Sequence, residues 1–437
     1  MKARPCEGPT VNYIESVEIQ GFWGTKTVRI HFDRDINFLI GANGSGKTTI
    51  INLIASALKA DISTLYSIQF DKMILRLKTP GVNRKPVIEI TKVIDDLMGS
   101  IDLTYLIKEK TTEKGQTFGV EGPYDQRIYR DPRYPRQRRM QEAGVRLANI
   151  LSEVVEVNWL SVHRGAFDRF SRTSRDDEFE TVIDLKIAEI SRKFASYFSL
   201  LDSRANEETK NFQEYVFLSL LEQEHSGSEV FQQAQIEPED KSIVVGILKD
   251  LGVSNTKATK SVNSHYNRLS AAIKTAKEDR SVTIMDAIAL SDARRIRAMV
   301  AKWRELNSAR EKIFNPKAQF ERIVNHLLSG KELHFDQRNA PTVHLLNGDK
   351  VNVNVLSSGE KQLFILLGEA LLQEERPVIF ISDEPELSLH VSWQSTLFEN
   401  IRSLNSAGQI ISATHSPDIV GPFQDKVIQI DSCIFDV

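Results

Sequence analysis

Ile36-Asn37-Phe38-Leu39-Ile40-Gly41-Ala42-Asn43-Gly44-Ser45-Gly46-Lys47-Thr48-Thr49 decides the reading of this chain. Phe38 to Ile40 is an apolar run suited to a buried strand. It breaks into a glycine-rich turn. From Thr48 onward, Thr-Thr-Ile-Ile-Asn-Leu-Ile-Ala-Ser-Ala-Leu has the composition of a helix. Strand, G-x-x-x-x-G-K-T and helix in register are the context of a phosphate-binding loop. Gly41, Gly44 and Gly46 let the backbone curl with its N–H groups inward. The residues from Asn43 through Gly44, Ser45, Gly46, Lys47 and Thr48 to Thr49 then cradle a polyphosphate, helped by the positive end of the helix dipole. Lys47 would reach the β- and γ-phosphates, and the Thr48 hydroxyl would bind Mg²⁺.

Length and charge set the frame around that loop. At 437 residues the chain is too long for one simple core, so two lobes are expected. A hydrophobic content of 41% and a charged content of 26% are ordinary for a globular protein. The net charge of −3 provides no global attraction to nucleic acid or membrane, so any such surface must be local. Cys6 and Cys433 stand near opposite ends with no metal-ligand spacing, which points to a reduced, cytoplasmic protein. No apolar run approaches a membrane span, and no membrane partner is expected. Residues 1–12 read as a flexible leader rather than a signal peptide.

Residues 13 to 32 alternate as strands, through Ile14, Val17 and Ile19, then Val28, Ile30 and Phe32. The turn between them carries Phe22 and Trp23, which either stack on an adenine ring or cap the core. Met73–Leu77, Val87–Val93 and Ile101–Ile107 extend this ribbon into a mainly antiparallel sheet. The segment from Gln126 to Arg139 holds six arginines with two tyrosines and two prolines. The prolines predict an extended loop. Its Arg127 to Arg139 stretch is a DNA-backbone contact, an acidic-protein contact or a plain solvated loop. Val154 to Arg164 reads as a core strand. His163 and Arg164 at its exit either approach a nucleotide or simply close the strand. From about Asp176 to Ser329, helical spacing takes over without sustained heptads, so a helical insertion is expected and a long coiled coil is not. Lys331–Phe335 and Val343–Val355 return to β pattern, with a hairpin at Asn347-Gly348. Helix 360–373, strand 378–382, helix 391–405, strand 409–414 and strand 427–430 then alternate as in a parallel sheet.

The loop's chemical partners all follow Leu356. Pro377 to Ser382 is an apolar strand ending in Asp383 and Glu384. In a phosphate-loop fold Asp383 would bind Mg²⁺ directly or through a water ligand, and Glu384 is placed to take a proton from the attacking water. Gln409 to Ala413 is a second apolar strand, ending in Thr414-His415-Ser416, with His415 where a γ-phosphate sensor is needed. Leu356-Ser357-Ser358-Gly359-Glu360-Lys361-Gln362 opens a helix whose N-terminus is a second anion site.

G-A-N-G-S-G-K-T, L-S-S-G-E-K-Q, I-F-I-S-D-E-P-E and T-H-S stand in the order found in ATP-binding-cassette ATPases, which the chain resembles over roughly residues 13–60 and 331–430. The wording of Asp383 to His390 and Thr414 to Pro417 is similar to that of the soluble group related to SMC proteins and to the overcoming-lysogenization-defect (OLD) ATPases. The resemblance implies an α/β fold: a P-loop ATPase head, with a mixed sheet plus an antiparallel β ribbon, interrupted by a mainly helical lobe. The head would comprise residues 13–175 and 331–437, and the lobe residues 176–330. It implies ATP and Mg²⁺ as ligands and a head-to-tail sandwich of two copies. Lys47, Thr48, Asp383, Glu384 and His415 of one copy would hold the nucleotide, and Ser358 and Gly359 of the other would close over its γ-phosphate. Ser388 and His390 would lie in the loop crossing the seam. Gln69 and Gln116 both remain open for the glutamine that such ATPases carry between phosphate loop and signature. OLD nucleases continue into a Toprim nuclease domain, for which this sequence leaves no room after its last strand.

OLD-like ATPases without that domain resemble the ATPase components of two-gene antiphage systems such as Septu and PARIS. The expected function is thus an ATP-hydrolysing homo-oligomer that acts as sensor or scaffold for a partner effector, a nuclease in those systems, encoded nearby. The alternative is an SMC-like DNA-binding or repair ATPase. A transporter subunit fits less well, because Ser358 stands where transporters have glycine.

Overall fold

A computed structural model describes residues 12–82, 84–95, 100–109, 114–123, 135–160, 182–221, 238–250, 252–278 and 283–436. In chain order the strands are β1 (Tyr13–Phe22), β2 (Lys26–His31), β3 (Ile36–Ile40), β4 (Lys72–Lys78), β5 (Val87–Asp95), β6 (Ser100–Lys108), β7 (Gln116–Pro123), β8 (Val157–Leu160), β9 (Lys331–Phe335), β10 (Pro341–Leu345), β11 (Lys350–Asn352), β12 (Ile379–Asp383), β13 (Gln409–Ala413), β14 (Val427–Gln429) and β15 (Ile434–Asp436). The helices are α1 (Lys47–Lys59), α2 (Ile62–Ser67), α3 (Pro135–Val154), α4 (Val182–Leu221), α5 (Pro238–Asp250), α6 (Asn255–Glu278), α7 (Ile284–Leu327), α8 (Ser358–Leu371), α9 (Val391–Gln394), α10 (Leu397–Leu404) and α11 (Pro417–Val420).

Two sheets of different character share one core. A seven-stranded antiparallel sheet has the order β15-β2-β1-β4-β5-β6-β7. Its strands alternate as half-buried strands must: Met73, Leu75 and Leu77 of β4 point inward and Lys72, Arg76 and Lys78 do not. A five-stranded sheet, β14-β3-β13-β12-β8, is parallel at every pairing. Its central strands β3 and β13 are buried almost without interruption, as expected where both faces are covered. Helix α1 is apolar nearly all round, with Ile50, Ile51, Leu53, Ile54, Ala57 and Leu58 buried, and such a helix must be covered on every side. It shares one hydrophobic cluster with β1, β4, β5 and β6 and with Ile379, Ile381 and Ile411 of the parallel sheet. The α/β head expected from sequence is therefore present, its antiparallel ribbon a separate sheet from a core sheet that is parallel at every pairing.

One buried polar side chain joins them. Gln409, at the start of β13, accepts from the Ile14 N–H at 2.9 Å and donates to the Ile14 and Asp33 carbonyls at 2.9 and 2.8 Å. An apolar residue there would strand those backbone groups in the core.

The chain divides into two compact units, residues 1–195 with 319–437 and residues 196–318. The first holds both sheets, the hairpin β9-β10-β11 and helices α1–α3 and α8–α11. The second is helical. Within it Phe212 meets Trp303 edge-on at 5.3 Å between ring centres, and Asp240 is paired with Arg304 at 3.2 Å.

Several boundaries differ from the sequence expectation. The extended segment predicted up to Arg139 ends at Pro135, which opens α3, since proline's missing N–H costs nothing at the first helical position. Residues 126–134 lie outside the described residues. Val154 closes α3, and the strand starts only at Val157. Val353–Val355 forms a 3₁₀ turn after β11. The helix expected over 391–405 is two helices, α9 and α10.

Candidate nucleotide site

The parallel sheet brings the candidate residues together because β3, β12 and β13 are neighbours running the same way. Their C-terminal ends carry, respectively, the glycine loop, Asp383-Glu384 and Thr414-His415. The ends are also tied: the Thr414 N–H donates to the Leu39 carbonyl at 3.3 Å and the Glu384 N–H to the Ala413 carbonyl at 2.9 Å.

The loop has the geometry of an anion cradle. Gly46, the N-cap of α1, has φ +97° and provides no side-chain cap, so the first N–H groups of the helix stay available. A Cβ at Gly46 would also stand 3.1 Å from the Trp23 ring and 3.2 Å from Phe22. Lys47 is buried and its Nζ donates to the Gly41 and Ala42 carbonyls at 2.8 and 3.1 Å. The Ser45 hydroxyl is buried with no hydrogen-bond partner. An orphaned hydroxyl, an uncapped helix start and a cation resting on loop carbonyls all fit a polyphosphate that would engage each of them.

The Thr48 hydroxyl donates to Asp383 Oδ1 at 3.1 Å. These are two hard oxygen ligands on adjacent elements, the donor set that Mg²⁺ takes beside substrate phosphates. Glu384 adopts a left-handed backbone, φ 48°, an unfavourable state for a residue with a Cβ. His415 Nε2 lies 3.7 Å from Glu384 Oε1. A cleft of about 510 Å³ runs from Gly41 and Ala42 past His415 to Gln429 and Asp431.

The two aromatics of the first turn part company. Phe22 is fully buried, while Trp23 is 41% exposed and stacks on Phe22 at 4.6 Å. Phe22 therefore belongs to the core, and Trp23 faces outward beside the phosphate loop. Of the two open glutamines, Gln69 borders the Trp23 turn and Gln116 opens β7 on the far strand of the antiparallel sheet. Gln116 is thus in a different sheet from the parallel-sheet edge where the loop and the acids meet. That edge also includes the end of β8 at Leu160; His163 and Arg164 beyond it lie outside the described residues.

The second serine-glycine site is built differently. Ser357 is the N-cap of α8 in a capping box: its hydroxyl accepts from the Glu360 N–H, and the Glu360 carboxylate accepts from the Ser357 N–H. Lys331 bonds the same carboxylate at 2.9 and 2.7 Å. Burial pushes the Glu360 pKa up, but these hydrogen bonds outweigh it and hold the pKa below the ordinary glutamate value. Both serines are exposed, but the Ser357 hydroxyl is occupied by the cap. Gly359 is buried, and a Cβ there would stand 2.5 Å from the Ser388 carbonyl oxygen. Ser388 itself has φ 71°.

Glu386 and Gln394 were not singled out by the sequence reading. Both link the acidic loop to the Thr414–Ser416 segment. Their only sequence signal was proximity to Glu384.

Among the described residues, no helix is long and apolar enough to cross a membrane. A comparison with curated proteins gave no match. Among solved structures, the chain is similar to the Smc head domain of Pyrococcus furiosus, solved with an extended coiled coil and bound to the C-terminal domain of ScpA, at 16% identity over 94% of this chain and 91% of that one, with a TM-score of 0.42. It is also similar to the Smc head domain of Pyrococcus yayanosii with coiled coil and joint, at 15% identity over 94% and 93%, with a TM-score of 0.37. The AAA ATPase domain family matches residues 13–420, nearly the whole length, and the chain belongs to that family.

Proposed function

We propose that the chain binds ATP with Mg²⁺ at the edge of the parallel sheet and hydrolyses it. The observation that carries this is the convergence of Lys47, the Thr48–Asp383 pair and the Glu384–His415 pair on three adjacent strand ends. Lys47 would leave the Gly41 and Ala42 carbonyls for the phosphates. Thr48 and Asp383 would hold Mg²⁺, which neutralises developing phosphate charge when bound. Glu384 would accept the proton of the attacking water, and His415 would contact the γ-phosphate. Trp23 provides an exposed aromatic face for the base. The test is steady-state ATP turnover by the purified chain, and its absence under Mg²⁺ would sink the reading.

The reading includes a second copy. Ser358 is exposed, and Val355, Leu387 and Val391, on segments that flank it or adjoin it through the Gly359–Ser388 approach, are large apolar residues open to solvent. This surface would close over the partner copy's phosphate loop, with Ser358 and Gly359 toward the γ-phosphate. ATP would then bind two copies together, and hydrolysis would release them.

A nucleotide-gated dimer can report to a downstream protein. The expected role is a sensor or scaffold for an effector, a nuclease encoded nearby, in antiphage defence. Exposed Phe217, Leu218 and Leu221 on α4, and Ile284, Met285 and Ile288 on α7, support protein docking by the helical unit. Co-purification with the product of a neighbouring gene tests it. A second reading, DNA binding, is favoured by the placement of Arg136, Arg138 and Arg139 in the first turns of α3. It predicts steeply salt-dependent binding that is lost on charge reversal at those positions.

A further inference from the structure

We propose that Glu386 is a positioning residue that holds His415 in register with Glu384. The inference rests on the hydrolase reading above and assigns a task to a residue that reading leaves idle.

Glu386 is a buried carboxylate, 8% exposed. One oxygen, Oε1, accepts from three consecutive residues: the Thr414 hydroxyl at 2.5 Å, the His415 N–H at 3.1 Å and the Ser416 N–H at 3.2 Å. Such a cluster of donors fixes the backbone at the residue that carries the imidazole, since two backbone N–H groups and a hydroxyl converge on a single point. The carboxylate comes from the loop after β12, where Glu384 and Ser388 both hold left-handed backbones. Two further ties reinforce the junction. Gln394 accepts from the Ser416 hydroxyl at 2.6 Å and donates to the Leu389 carbonyl at 3.2 Å. Gln362 of α8 donates to the Pro385 carbonyl at 2.8 Å. The exits of β12 and β13 are therefore one laced unit, and the 3.7 Å spacing of His415 Nε2 and Glu384 Oε1 depends on it.

The other oxygen, Oε2, is buried with no hydrogen-bond partner. That asymmetry separates positioning from stability. Glu386→Gln keeps a carbonyl oxygen for the three donors and puts an NH₂ group where Oε2 is buried without a partner. It should therefore lower the melting temperature while keeping turnover. Glu386→Ala removes the acceptor and should lower kcat, because misplacing a reacting group by about 1 Å costs on the order of 100-fold.

The experiment measures ATP turnover, binding of a fluorescent ATP analogue and melting temperature for the full chain, Glu386→Ala, Glu386→Gln, His415→Ala and the Glu386→Ala/His415→Ala pair. Expected are a loss of kcat of at least tenfold in Glu386→Ala with analogue affinity within twofold, near-wild-type kcat in Glu386→Gln, and a double variant no slower than His415→Ala alone. Unchanged turnover in Glu386→Ala, or losses that multiply in the double variant, overturn the inference while leaving the hydrolase reading intact. If Glu386→Ala does not fold, a tenfold loss of kcat in Glu386→Gln overturns it equally. Absence of turnover in the wild type overturns both.

Discussion

The end of the parallel sheet and the helical unit solve different problems with the same chain. At the sheet end, polar groups are buried, bonded several times over and held in backbone states that need support, as at Glu384 and Ser388. In residues 196–318 the contacts are of the ordinary helix-packing kind, such as Phe212 on Trp303, and large apolar side chains remain in solvent at Phe217, Leu221, Ile284 and Met285. The first arrangement fixes the backbone at the residues to which the proposal assigns chemistry. The second leaves apolar surface in solvent, which suits the docking proposed for it.

Substitutions should separate the two regions cleanly. Glu384→Gln should slow hydrolysis about 1,000-fold while ATP still binds, because only the proton acceptor is lost; turnover near wild type would show that another group is the base. Lys47→Ala should weaken ATP binding about 100-fold, the loss of charge-assisted bonds to phosphate, read by titration with a fluorescent analogue. Gln409→Leu should destabilise the first unit by about 3 kcal/mol, since it strands the Ile14 N–H and two carbonyls, and thermal melting would show it. Phe212→Ala should cost about 3 kcal/mol in the helical unit and leave ATP affinity untouched. If it altered affinity, the functional separation of the two regions would be wrong.

The smallest effect is a pH effect at the start of α8. The folded pKa of Glu360 is lower than its unfolded value, so the unfolded state binds more protons as the carboxylate titrates. Its contribution is fully present above the unfolded value near 4.3 and is lost as pH falls through the lower folded value. Glu360→Gln should therefore flatten the acid limb of the stability profile, measured by denaturation from pH 7 down to pH 3.

Much of the sheet end was legible because its chemistry sits next to the apolar runs that make its strands. Phe38–Ile40 leads into the glycine loop, Ile379–Ser382 into the acids, and Ile410–Ala413 into His415. Strand and site are read in one glance there. The capping box was half-visible as Ser-x-x-Glu, but only the geometry shows that Ser357 is occupied and Ser358 is not. Gln409 and Glu386 were hidden for a different reason. Their partners lie 395 and 28 residues away in sequence, and a single polar residue in or beside an apolar run carries no local signal. Pro135 misled because proline breaks a helix inside but favours its first turn, and composition does not tell the two apart.

The central claim is that nucleotide state and assembly state are one variable. The direct measurement is the molar mass of Glu384→Gln in solution, with and without saturating ATP and Mg²⁺, beside the same variant carrying Ser358→Arg. The account predicts that ATP doubles the mass of Glu384→Gln and that Ser358→Arg abolishes the increase while each chain still binds ATP. A mass indifferent to bound ATP would contradict it.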